Sequence, residues 1–282
     1  MRKVLSVLLF LAASSLFAYQ WPIAGGFLTA SFGENSSDSF LKGIRISGPG
    51  SIVSPFLKGE LIYYGNEEDQ QAPVLGNVKV LHHENGFRSI YGHLKPFFGE
   101  QKVFLEERDQ LGLVGDSGRT DEKNLFFMVY DSEMNQYVNP QIILPPSGDS
   151  APPRIETVTL KSDNSLILLS KSNRLNAGRV QVYVDVLDSD GNSSRNIDTV
   201  PYSITMFYLG NEINQIKFDT LKEENGKLVL RGGNPVSFND LYSDGSLYLG
   251  EIYLSSGVAF LEISASDISG NNSISTFQLN ID

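Results

Sequence analysis

Three histidines, His82, His83 and His93, are the imidazoles available for metal binding or proton transfer. His82 and His83 are adjacent, so on a strand their side chains point to opposite faces and cannot serve one metal together. A catalytic zinc takes three protein ligands, usually His with Asp or Glu, and keeps a fourth position open. The sequence offers His93, at most one of the other two, and acids to complete a set. GDSG at Gly115–Gly118 has the form of a serine-peptidase nucleophile turn. That chemistry needs a His base and an orienting Asp, whereas a tight turn needs only the dihedral freedom of Gly. Asp188, Asp190 and Asn192 in DSDGN have the spacing that opens a calcium loop, but the twelfth position is Thr199 where an EF-hand needs Glu. The segment therefore reads as a hairpin turn, with weak calcium binding left open.

The elements that must position these groups are strands. GNVKVLHH, FRSIYGHL, QLGLVG and NLFFMVYD are short runs rich in β-branched and aromatic residues, separated by Gly, Asn or Asp. Farther on, RVQVYVDVLD alternates, with Val180, Val182, Val184 and Val186 on one face, and YSITMFYLG, SLYLGEIYL and AFLEISASD continue the pattern. The spacing predicts an all-β chain ending in a sandwich. A short helix is expected only over Asn239–Tyr242. LPPSGDSAPPRI, with Pro145, Pro146, Pro152 and Pro153, is too proline-dense for a central strand. The expected division is 19–144 for a first domain, 145–154 for a linker and 155–282 for a second domain.

The formal charge is -11. Clustered Lys and Arg are what phosphate backbones require, so nucleic acid is excluded as a partner. Residues 1–18 read as an export signal: Arg2 and Lys3, an apolar run from Val4 to Ala13, and a possible cut after Ala18. The run is short for a bilayer span, and an uncleaved signal segment is the one membrane contact expected. Without cysteine the chain has no disulfide and no thiolate metal site.

From Trp21 to Leu144 the order of segments resembles the lysostaphin-type, or LytM-like, zinc metallopeptidases that cut peptidoglycan cross-bridges. The residues behind this are WPIAGGFLTASFGE, SIVSPFLKGELIYYGN, GNVKVLHHENGFRSIYGHLKP, QLGLVGDSGRT and VNPQIIL. The second half, through RVQVYVDVLDSDGN and AFLEISASDISGNNS, is similar to bacterial immunoglobulin-like domains. The resemblance implies a β-sheet/barrel-sandwich hybrid (duplicated hybrid motif) followed by an immunoglobulin-like β-sandwich.

The family binds zinc through a His-x-x-x-Asp early in the domain and the second His of a late His-x-His. By the resemblance those positions fall on Leu41, Arg45 and Phe126, with Asn124 at the first His of the late motif; His93 alone is retained from the active site. Leu and Phe offer no lone pair, and Arg carries a permanent positive charge. No zinc cofactor and no catalytic residue are therefore expected. Leu41, Arg45, Tyr91, His93, Asn124 and Phe126 are expected to line a degenerate groove, and Leu41 and Phe126 to fill the emptied site. The implied role is an exported periplasmic or envelope protein that acts by binding and regulates a cell-wall hydrolase. The alternatives are direct peptidoglycan binding, or a metalloendopeptidase with an atypical site.

Overall fold

A computed structural model of the protein describes residues 19–282, apart from 49, 70–72, 98–99, 121, 163–164, 193–194, 196 and 244. The export segment expected over 1–18 lies outside the described residues. Among the described residues no helix is long and apolar enough to cross a membrane.

The N-terminal half opens with β1 (Phe27–Ala30), β2 (Ile44–Ser47), β3 (Ile52–Val53) and β4 (Gly59–Gly65). It continues through β5 (Asn77–His82), β6 (Phe87–Leu94), β7 (Phe104–Leu105), β8 (Gly112–Leu113), β9 (Asn124–Asp131) and β10 (Gln136–Val138). A single turn of helix, α1 (Pro140–Ile143), closes it, with Asn139 Oδ1 accepting from the Gln141 amide at 3.0 Å as its N-cap. The strands β7-β4-β5-β6-β9 form an antiparallel run. Beyond β6, strand β9 shares its free edge: β2 pairs along Asn124–Phe127 and β10 along Val129–Asp131.

The C-terminal half comprises β11 (Arg154–Ser162), β12 (Ser165–Leu168), β13 (Ser172–Leu175), β14 (Gly178–Leu187), β15 (Ser203–Tyr208) and β16 (Asn211–Lys217). Then come β17 (Thr220–Glu224), β18 (Lys227–Arg231), β19 (Val236–Ser237), α2 (Phe238–Leu241) and β20 (Tyr242–Ser243). Last are β21 (Ser246–Leu254), β22 (Gly257–Ser266) and β23 (Asn272–Ile281). Two five-stranded sheets result, β12-β11-β14-β21-β20 and β13-β23-β22-β15-β16. The strand orders β11-β14-β21 and β15-β22-β23 are the A-B-E and C-F-G orders of an immunoglobulin sandwich. Val180, Val182, Val184 and Val186 of β14 all lie in the core, as their alternation predicts. The expected helix over Asn239–Tyr242 is α2, starting one residue earlier because Tyr242 enters β20.

The halves are not beads on a string. After β16 the chain leaves the sandwich, and β17, β18 and β19 extend the first sheet through β10, with Tyr137 opposite Leu221 and Val138 opposite Thr220. Asn139 fixes the junction, its Nδ2 donating to Phe218 O at 2.8 Å and its backbone N to Asp219 O at 2.9 Å. One apolar core runs from Phe40 and Phe127 to Phe218, Leu241 and Leu261. Such a continuous sheet and core make the halves stabilise one another through apolar burial as well as hydrogen bonds.

Candidate functional site

Strand alternation decides which side chains share a face. In β9, Leu125, Phe127 and Val129 enter the main core, so Asn124, Phe126 and Met128 project from the other side. In β2, Ile44 and Ile46 are core and Arg45 and Ser47 project. Arg45 is the register partner of both Ala30 and Phe126, and Gly92 is the partner of Phe126. Ala30, Arg45, Phe126 and Gly92 therefore form one row across four strands. Leu75 is seated over this row: a Cβ on Gly92 would meet the Leu75 Cβ at 2.9 Å, so only Gly leaves room.

Leu41 arrives from the loop before β2 and packs with Ala30 and Phe126, flanked by Leu75 and Met128. This cluster is separate from the main core. The apolar pair Leu41–Phe126 thus occupies the part of the groove where the resemblance places metal ligands.

His93 reaches the same face by an unusual route. Plain alternation would return it to the core side beside Tyr91, but its φ is 60°, in the left-handed region that bulky residues seldom adopt. The ring instead lies edge-on to Phe126, with centroids 6.2 Å apart. His93 Nδ1–H donates to Ser117 O at 2.8 Å, which leaves Nε2 with the lone pair in the neutral ring. Burial lowers the His93 pKa from its ordinary value; the Ser117 carbonyl opposes that, and the charge of Arg45 adds to the lowering. The imidazole is therefore a neutral acceptor at neutral pH.

Two buried polar atoms of the groove, Asn124 Oδ1 and Arg45 Nε, have no partner. Asn124 is 1% exposed and its Oδ1 is unsatisfied, while its Nδ2 has only a 3.4 Å contact to Glu122 Oε2. Arg45 is half-buried, its Nε is buried without an acceptor, and no described carboxylate lies within ion-pair distance. Glu34 feels its charge weakly, and Glu34 accepts from Ser31 N, Ser31 Oγ and Val200 N. Burial raises the Glu34 pKa, which weakens it as a counter-charge.

Leu41, Arg45, His93, Asn124 and Phe126 are thus brought together. Tyr91 is not, and its place in the groove is corrected here. It is fully buried on the opposite face of β6, packs on Phe127, and its hydroxyl takes hydrogen bonds from Phe56 N and Ser89 Oγ. Period-2 alternation from Gly92 requires this, and only the break at His93 obscures it. His83 is also structural, its ring nitrogens meeting Lys58 O at 2.8 Å and Ser89 Oγ at 2.7 Å, and His82 is exposed. In GDSG the Ser117 hydroxyl donates to Leu94 O and accepts from Asn77 N, which leaves a turn and no nucleophile. Ala30, Leu75 and Met128 complete the groove and carry no signal in the sequence beyond being apolar.

Acids gather elsewhere. A cavity of about 720 Å³ lies between the halves and is lined by Trp21, Phe27, Arg195 and Tyr202 among others. On its wall Asp149, Asp188 and Asp267 bring carboxylate oxygens within 4.8 Å of one another. Burial, then the charges of Asp267 and Asp149, push Asp188 up to about 7. Each carboxylate accepts from a nearby backbone amide: Ala151 to Asp149, Ser189 to Asp188 and Asn271 to Asp267. Asp190, two residues on from Asp188, pairs instead with Arg195 at 2.5 Å.

The fold is all-β, and residues 39–140, which contain the groove residues Leu41, Arg45, His93, Asn124 and Phe126, match the model of peptidase family M23. The chain carries a LytM-like domain of that family, followed by a second domain. Residues 152–282 match a further family model that carries no functional description. The chain is 30% identical over 138 residues to Cell division protein DipM of Caulobacter vibrioides (strain NA1000 / CB15N), which is 47% of this chain and 22% of DipM. It therefore spans about a fifth of that relative's length. Among solved structures, a mutant catalytic domain of the prophage-encoded M23 protein EnpA from Enterococcus faecalis is 18% identical, with 47% of this chain and 98% of that one covered and a TM-score of 0.37. The SpoIIQ-SpoIIIAH pore forming complex is 20% identical, covers 45% of this chain and 90% of that one, and has a TM-score of 0.37.

Proposed function

We propose that this protein acts by binding: it is a catalytically inactive cell-wall peptidase homologue, exported to the cell envelope, whose groove regulates peptidoglycan hydrolases. The observation that carries the reading is the donor chemistry of the groove. Leu41 and Phe126 are packed together where ligands would be needed, and Arg45 brings positive charge beside them. One neutral imidazole and one amide make a poor zinc set, because a catalytic site takes three donors of the His and carboxylate type. These residues do not fit a zinc ion. Without a metal-activated water, His93 alone supplies too little for peptide hydrolysis.

The test combines two measurements on the purified full chain. Elemental analysis is expected to find far less than one zinc per chain, with no muropeptide released from sacculi. Retention on sacculi is expected only when a cognate hydrolase is added. Stoichiometric zinc with chelator-sensitive release of muropeptides would overturn the reading. Retention on bare sacculi, abolished by changes in the groove, would move the binding partner from hydrolase to peptidoglycan itself.

A further inference from the structure

We infer that the polar end of the groove is a receptor for the terminal carboxylate of a peptide, with Arg45 as the charge that holds it. This rests on the binding role proposed above and names the chemistry that role uses. A guanidinium presents its N–H groups as a planar fork matched to a carboxylate, and such charge-assisted pairs are the strong ones. In this structure the fork is idle: the Arg45 side chain has no ion pair or hydrogen bond among the described residues, and its Nε is buried without an acceptor. Glu34, a carboxylate that feels its charge, is already engaged by Ser31 and Val200.

The neighbouring groups ask for the complementary part of the same ligand. Asn124, 1% exposed, shares the face of Arg45 by register and leaves Oδ1 unsatisfied. His93 presents Nε2 as an acceptor because Nδ1–H is committed to Ser117 O. The groove therefore offers one fixed positive donor beside two free acceptors. A peptide terminus complements it, with a carboxylate for Arg45 and, on the same residue, an amide N–H for one of the two acceptors. The apolar floor of Ala30, Leu41, Leu75 and Phe126 fits a small apolar side chain on that last residue, such as alanine. A free anion such as phosphate satisfies Arg45 but brings no apolar group to the floor of Ala30, Leu41 and Phe126, so a peptide fits better than an inorganic ion.

The test is calorimetric titration of the full chain with peptides ending in Ala-Ala, made with a free carboxylate and with a C-terminal amide. A D-Ala-terminated set represents cell-wall peptide and an L-Ala-terminated set a protein terminus. The free acid is expected to bind about tenfold to a hundredfold more tightly than the amide, the range of a charge-assisted pair. Arg45→Gln is expected to erase that difference while the fold, checked by circular dichroism and thermal melting, is retained. Arg45→Leu serves as the second variant, since removing an unpaired, half-buried charge is expected to leave melting unchanged or raised. Preference for the D set identifies the wall as source, and preference for the L set a protein partner. Equal affinity of acid and amide, or an unchanged difference in both Arg45 variants, overturns the carboxylate inference. The binding role itself fails separately, if Arg45→Gln and Phe126→Ala both leave retention on sacculi and hydrolase untouched.

Discussion

Replacing Phe126 by Ala tests whether the groove is filled by packing. A fully enclosed Phe costs about 3–5 kcal/mol when truncated, through lost transfer energy and the cavity left behind. Phe126 is 7% exposed and packs with Leu41 and Ala30, but its neighbours Leu75 and Met128 are only partly buried. The hole can therefore collapse or admit water, which places the expected loss near the lower limit, at about 3 kcal/mol. For a chain of this size that corresponds to a fall in Tm of roughly 6–12 °C. Urea denaturation of Phe126→Ala, Leu41→Ala and the double variant measures it. Because the two side chains fill one cluster, their effects should couple by about 0.5–1 kcal/mol rather than add. A loss for Phe126→Ala below about 1 kcal/mol, or strict additivity with Leu41→Ala, refutes the packing argument.

Three other outcomes follow from particular contacts. Burial pushes the Asp188 pKa up to about 7 from an ordinary 3.8, so its protonated form is favoured in the fold; its contribution is present below about pH 4 and is lost as pH rises through 7. Asp188→Asn should flatten the fall in stability between those limits, by about 2 kcal/mol after allowing for partial exposure and shared titration; a wild type equally stable at pH 4.5 and 8 rules this out. Tyr242→Phe removes the hydroxyl that donates to Gly33 O at 2.9 Å and should cost about 1 kcal/mol, with faster amide exchange at Leu41, whose N–H is held by Glu34 O. Unchanged exchange there would mean the sandwich does not steady the groove loop. The triple variant Leu41→His, Arg45→Asp, Phe126→His is expected to take up one zinc per chain by elemental analysis, and a folded triple variant without zinc would show that the three positions do not converge as a ligand set.

The strands were legible because period-2 alternation reports burial directly. Val180 to Val186 read as one face and are one face. The groove was legible only in part. Leu41, Arg45, Asn124 and Phe126 were located through the order of motifs, and their convergence follows from the register of β2 against β9. Tyr91 departs from the groove that the resemblance implies, because the positive φ of His93 sends the rings of Tyr91 and His93 to opposite sides of β6. No sequence pattern encodes that reversal, since a left-handed residue is selected by its surroundings: here the Leu75 and Gly115 backbones pair with His93 N and O. The union of the halves was illegible for a similar reason. The proline-rich stretch 145–154 marks a break in regular structure, but the strand that rejoins the first sheet, β17, lies far along the second half, and pairing across such a separation leaves no local signature.

The two ends of the groove have opposite energetics, and this bears on what a ligand does there. The Leu41–Phe126 end gains stability by excluding water. The Arg45–Asn124–His93 end loses it: each unsatisfied buried group costs on the order of 1–3 kcal/mol, and a residue held at positive φ a similar amount. A ligand that satisfies Arg45 and Asn124 recovers part of that cost only in the bound state, so it adds to affinity without being diluted by an internal competitor. Binding must then also raise the melting temperature, by the linkage RT ln(1 + [L]/Kd), which is about 2.7 kcal/mol at a hundredfold excess over Kd. Because Glu34 and Val200 tie the groove loop to the sandwich, that stabilisation is expected to reach both halves as a single transition. A ligand that shifts melting of the first half alone would show that the shared sheet does not couple the groove to the rest of the chain.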